Sequence, residues 1–148
     1  MRIHWCLILI AISLLFGGAA WAGDRGTPED AKAMAVKAAH YLQEVGPDTA
    51  FAAFSAKDGP WHDRDLYVFV TATNHVVLAH GAMPALVGRT MSGLRDVDGH
   101  SISDEIHAVT EEGWIEYKWQ DPTTKAIAFK QSYVVRVGDN RVVVGAYK

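Results

Sequence analysis

Two periods alternate along the chain. From Pro28 onward apolar residues recur at Ala31, Met34, Ala35, Ala38, Leu42 and Val45, the spacing of one helical face. Thr27 ahead of Pro28, Glu29 and Asp30 supplies a side-chain cap, a proline at the first helical position and acids in the first turn; Gly46 and Pro47 close the run. A second, shorter helix is expected from Asp48 to about Ser55, with Phe51 and Phe54 on one side. From Leu66 the period shortens. Residues 66–70 and 76–80 read as a hairpin of short aromatic and β-branched strands. Residues 81–93 hold no period and are expected to be irregular, with one helical turn near Ala85. Ile102, Ile106 and Val109 mark a helix expected to end near Gly113. Residues 114–119, 128–137 and 141–147 then read as three strands joined by the turns 120–125 and 138–140.

Two helices, two strands, a helical crossover and three strands predict an α+β fold. Its expected form is an antiparallel sheet of about five strands, with the long N-terminal helix and the crossover helix packed against it. The hairpin of residues 114–137 carries the least ordinary chemistry. On its first arm Ile115, Tyr117 and Trp119 share a face; on the second, Lys130, Ser132, Val134 and Arg136 share one. A lysine and a serine in the middle of an apolar strand need a polar destination.

The first 22 residues change the picture of where this domain works. Met1 and Arg2, an apolar run to Phe16 and small residues ending in Ala20, Trp21 and Ala22 form the three regions of a secretory signal peptide, with cleavage expected after Ala22. The competing reading is a retained membrane anchor, for which the apolar run is short. Residues 23–148 are then one domain of ordinary size, exported to the periplasm or outside the cell. Cys6 is the only cysteine and lies before the apolar core of the leader, so disulfides and thiol chemistry are excluded from the mature domain. The formal charge of −3 becomes one unit more negative when Arg2 is removed, and no long basic run offers a footprint for nucleic acid.

Catalysis finds no support in these residues. Ser101 and Ser132 lie in no nucleophile motif, and Glu111 with Glu112 adjoins the Gly113 turn, where acids are commonly solvated. The 13 glycines are dispersed instead of gathered before a helix, so no phosphate or dinucleotide loop is present and no cofactor is expected. His62, His75, His80, His100 and His107 are scattered without the close spacing of a zinc site, and no metal is expected.

In this order and spacing the chain resembles the single Cache domain, the PAS-like extracellular sensing module of bacterial chemoreceptors and sensor kinases. The resemblance is carried by Asp65 to Val70, Val77 to His80, Pro84 to Gly88, Gly113 to Trp119, Lys130 to Val134 and Val143 to Tyr147, and covers nearly all of residues 23–148. It implies a ligand-binding domain without enzymatic activity, in signal transduction or uptake, whose recurrent ligands are small carboxylates such as acetate, propionate, lactate or pyruvate. Here the domain is expected to be a free-standing, exported form, and one local departure is His80, Gly81, Ala82, Met83, Pro84 where the family often has a histidine followed by a proline-containing turn.

The resemblance points to Lys130 as the group that pairs with a ligand carboxylate; from the residue alone the simpler reading is a lysine leaning out to solvent with its stem over apolar surface. Tyr117 offers a hydroxyl on a rigid apolar body, with Trp119 beside it, and the bland alternative for both is core packing. Tyr67 and Phe69 share a face that could floor the pocket, packing being the simpler role for Phe69. His80 is a candidate donor that would make binding depend on pH, and Met83 belongs to the segment expected to cover the site. A second functional reading also stands, an interaction module that binds no metabolite and docks on a membrane-bound sensor or transporter.

Overall fold

The computed structural model describes residue 23 and residues 25–148; the leader expected over 1–22 and its cleavage site lie outside these residues. Helix α1 (Pro28–Val45) starts as its sequence directs. Thr27 Oγ1 accepts the Asp30 N–H, and the Asp30 carboxylate accepts the Thr27 N–H, each at 3.1 Å, a reciprocal cap that stabilises the helix by about 1 kcal/mol. Gly46, at φ 82, turns the chain directly into α2 (Pro47–Ser55). Because Ala31, Ala35, Ala38 and Ala39 form most of its buried stripe, α1 lies close on the sheet, with Leu42 filling the far end.

The strands are β1 (His62–Asp63), β2 (Leu66–Ala72), β3 (Val77–His80), β4 (Glu112–Gln120), β5 (Ile127–Val137) and β6 (Asn140–Tyr147). All pairings are antiparallel, in the order β1-β2-β6-β5-β4, with β3 also paired to β2. A 3-10 turn (Pro84–Leu86) and α3 (Ile102–Ala108) lie in the crossover from β3 to β4. This is the expected α+β architecture, enlarged by the two-residue strand β1, which has too few positions to show a period. Helix α3 stops earlier than expected because Val109 is already extended, and its carbonyl accepts Arg141 Nε at 3.1 Å in place of another helical turn. Gly113 belongs to β4. Among the described residues no helix is long and apolar enough to cross a membrane.

Strand alternation splits the sheet into two buried faces. Leu66, Val68 and Val70 of β2, Tyr133 of β5, and Val142, Val144 and Ala146 of β6 meet α1, α2 and Trp61. Residues one position out of phase, among them Tyr67, Phe69, Tyr117, Val134, Val143 and Tyr147, face Ile102 and Ile106 of α3 on the other side. The second face is the one that holds polar groups.

A short N-terminal strap closes the sheet at one end. Arg25 donates to Asp121 at 2.6 Å and to Asp65 at 3.3 Å, and the Gly26 N–H donates to Asp65 at 2.6 Å. Both carboxylates are buried. Burial raises the Asp121 carboxyl, but hydrogen bonds from the Thr123 N–H, Arg25 and the Thr124 N–H outweigh it, and its pKa is lowered. A lowered folded-state pKa contributes stability above the ordinary carboxylate range that is lost as pH falls through the folded value. Arg25→Ala should therefore lower the unfolding free energy near neutrality by about 1–3 kcal/mol, toward the low end because the guanidinium is 41% exposed. Urea denaturation reads this directly, and an unchanged midpoint contradicts the strap.

Candidate functional site

Register brings the polar groups of the second face together. Tyr117 on β4 pairs with Lys130 on β5, which pairs in turn with Tyr147 on β6, so the three side chains form one row across the sheet. The neighbouring row is Ile115, Ser132 and Gly145. Tyr67 and Phe69 arrive from β2, and His80 from the end of β3, where Phe69 and His80 are paired. Over them lie Leu86, Met91 and Ile102, closing a cavity of about 10 Å³. That is room for about one water molecule.

Lys130 is 0% exposed, and among the described residues no carboxylate lies within ion-pair reach of its Nζ. The amine nitrogen donates to the Tyr67 hydroxyl at 2.8 Å. It also sits 4.2 Å from the centre of the Tyr67 ring, 4.9 Å from that of Tyr147 and 5.7 Å from that of Phe69. From Tyr67 the chain of donors continues to the Tyr147 hydroxyl at 3.2 Å, and from there to the Gln120 carbonyl at 2.9 Å. Burial pushes the lysine down to about 7, against the pull of Asp65 and Asp121 in the opposite direction. Its stem lies over Gly145, where a Cβ would run into Ser132 Oγ and Lys130 Cε. Glycine is needed there for close approach.

The other polar groups are held without charge. Tyr117 is buried and accepts from Ser132 Oγ at 3.1 Å; burial raises its pKa, as it does for Tyr67 and Tyr147, so all three stay protonated phenols. His80 Nδ1 accepts the Met83 N–H at 2.9 Å and the Ala82 N–H at 3.3 Å, which places the ring proton on Nε2. Burial, followed by the nearby Lys130 and His62, pushes His80 down to about 3. It is a neutral donor throughout the physiological range, so the pH dependence expected of it has no source in its own titration. Its ring lies between those of Tyr67 and Phe69, with centroids 5.1 and 5.4 Å away.

The covering segment is tied down at both ends. Near β3, the Ala82 and Met83 amides hold His80, and the Val77 N–H donates to the Arg89 carbonyl at 2.9 Å. At the far end the Asp96 carboxylate accepts the Lys118 N–H at 3.0 Å, joining the segment to β4. Between these points Pro84 and Ala85 are exposed and Leu86 and Met91 are half-buried.

Five of the six residues singled out from the sequence, Lys130, Tyr117, Trp119, His80 and Tyr67, line this one cavity. Met83 does not; its backbone amide orients His80, while Leu86 and Met91 supply the apolar cover. Phe69 lines the cavity as well as packing in the core. Sequence reasoning missed Ile102, whose helical period marked it only as core, and Gly145, whose value lies in a cross-strand contact. It read Asp121 as a turn residue and gave Arg25 and Asp65 no electrostatic role. Among the described residues no group of three or more His, Cys, Asp or Glu side chains is placed to hold a metal ion.

The sequence model of the family described as Single Cache domain 2 matches residues 26–147. The methyl-accepting chemotaxis protein McpP of Pseudomonas putida is 28% identical over 76 residues, which are 49% of this chain and only 14% of that receptor. Three solved structures share the fold over 80% of this chain. A methyl-accepting chemotaxis protein from Vibrio parahaemolyticus superposes with a TM-score of 0.68 at 19% identity, over 86% of its own length. A Cache chemosensory domain described in terms of carboxylic acid recognition gives 0.63 at 21%, also over 86% of its length. A periplasmic sensor domain of a chemotaxis protein gives 0.62 at 23%, over 88%.

Proposed function

The chain belongs to the single Cache domain 2 family, and on that premise we propose that it is an exported sensory domain binding a short monocarboxylate non-covalently in the cavity around Lys130. The observation that carries this reading is a fully buried lysine, without a carboxylate partner among the described residues, aimed among neutral aromatic walls. A ligand carboxylate supplies the missing partner, and a hydrogen bond from an ammonium to a carboxylate is about twice as strong as a neutral one. Tyr117 and His80 are neutral donors beside it, and Trp119, Phe69, Leu86 and Met91 surround a short alkyl tail. A second carboxylate on the ligand would meet no second cation among the lining residues, and a ligand ammonium would meet no anion. The pocket therefore favours monoanions over dicarboxylates and amino acids.

A carboxylate is larger than the cavity of about 10 Å³, so entry requires the covering segment between His80 and Asp96 to yield. Support for that motion is its small buried area: none of Pro84, Ala85 or Leu86 is buried. A thermal-shift comparison of acetate, propionate, lactate and pyruvate with dicarboxylates, amino acids and amines tests the reading. At about a hundredfold over its dissociation constant the ligand should add roughly 2.7 kcal/mol of stability, which raises the melting temperature by several degrees. Selective stabilisation by one or two short monocarboxylates is the expected result; a response to none of them contradicts it.

A further inference from the structure

We propose that above neutrality the pocket takes up a proton together with its anion: Lys130, neutral in the empty cavity on the alkaline side, becomes an ammonium when a carboxylate is seated beside it. This rests on the carboxylate reading above and concerns how that same site is regulated.

The geometry behind it is an accounting of partners. A buried cation is costly unless it is paired, and among the described residues Lys130 Nζ has one hydrogen-bond acceptor, the neutral Tyr67 hydroxyl. The two carboxylates whose fields reach it, Asp65 and Asp121, are committed elsewhere. Arg25 binds both, and backbone amides of Gly26, Thr123 and Thr124 occupy their remaining oxygens. Every strand facing Lys130 presents a neutral group: Tyr67 from β2, His80 from β3, Tyr117 from β4 and Tyr147 from β6. The crossover contributes only the apolar Leu86, Met91 and Ile102. Aromatic faces at 4.2 and 4.9 Å offset part of the desolvation of an ammonium but do not replace an anion.

An arriving carboxylate reverses this balance. It places a negative charge within hydrogen-bond reach of Nζ and raises the lysine pKa from its empty-pocket value of about 7. Between the empty and occupied values each bound anion carries close to one proton with it, and affinity falls tenfold per pH unit. Below the empty-pocket value Lys130 is already charged, and affinity is flat. Neither His80, neutral down to about 3, nor the phenols, shifted upward by burial, titrates in that window. A sensor built this way reports a short acid more strongly in acidified surroundings than in alkaline ones.

Calorimetric titration of the purified protein with acetate, in buffers of differing ionisation enthalpy, reads the proton directly. Near-zero uptake at about pH 6, uptake approaching one proton at about pH 8.5 and a roughly tenfold weakening per unit between about pH 8 and 9 are expected. In parallel, the Lys130 side-chain resonance should titrate near neutrality without acetate and shift to higher pH with it. Binding that is flat with pH and takes up no proton overturns the coupling while leaving the carboxylate reading intact. Uptake with an unmoved Lys130 resonance assigns the proton to another group and also overturns it. No binding of any short carboxylate at any pH overturns the carboxylate reading, and the coupling with it.

Discussion

Replacing Lys130 by Met should weaken binding of a short carboxylate by at least about a hundredfold, roughly 2.7 kcal/mol, and at the same time make the protein more stable. The two effects have one origin. Methionine matches the length and flexibility of the lysine stem, so the space over Gly145 stays filled. What disappears is the amine, which is the proposed ligand contact and also a buried cation whose one hydrogen-bond partner among the described residues is the neutral Tyr67 hydroxyl. The pH dependence of the gain follows from the direction of the shift. Lys130 releases its proton at about 7 when folded and near its ordinary value of 10.5 when unfolded. The unfolded chain thus binds more protons between these limits, and wild-type stability rises with pH across that window. Lys130→Met removes the rise. Its stabilisation is on the order of 3 kcal/mol below about pH 7, after allowance for the lost hydrogen bond to Tyr67, and fades toward pH 10.5. Denaturant unfolding at several pH values, beside acetate titrations of both proteins, measures both effects. A variant that loses binding because it is destabilised would show that the lysine is structural.

Gly145→Ala should move stability the other way, destabilising the domain by about 2–3 kcal/mol, while also weakening carboxylate binding, by at least about tenfold. A single methyl group at this position meets Ser132 Oγ and Lys130 Cε, both belonging to fully buried side chains. Both are fully buried and held by hydrogen bonds, Ser132 to Tyr117 and Lys130 to Tyr67. The cost is expected to fall by about 1 kcal/mol or more when the same substitution is made in a Lys130→Ala background, where the obstructing stem is gone. Additive effects in the double variant would show that Gly145 acts on something other than Lys130.

Much of the fold is written in local signals. Thr27, Pro28 and Asp30 announce α1 because a helix start is satisfied within four residues, and the hairpin of β4 and β5 is legible because its faces alternate. The same alternation grouped Tyr117 with Ile115 and Trp119 on one arm and Lys130 with Ser132 on the other, while the register that makes Tyr117 and Lys130 neighbours comes from the structure. What stayed hidden depends on separation along the chain. Arg25 meets Asp121 across 96 positions, and nothing near either residue announces the other. His80 read as a pH switch because an isolated histidine titrates near neutrality; only its burial between Tyr67 and Phe69 takes it out of that range. The family resemblance singled out Lys130 for a ligand, but not that burial lowers its pKa when no anion among the described residues pairs with it.

Determining the structure with propionate bound tests the central claim most directly. One carboxylate oxygen is expected about 2.7–3.0 Å from Lys130 Nζ, with Tyr117 or His80 near the second oxygen, the alkyl tail against Trp119 and Phe69, and Leu86 and Met91 displaced outward. Propionate found elsewhere on the protein, or a cavity that remains closed around Lys130 at saturating ligand, would contradict the account.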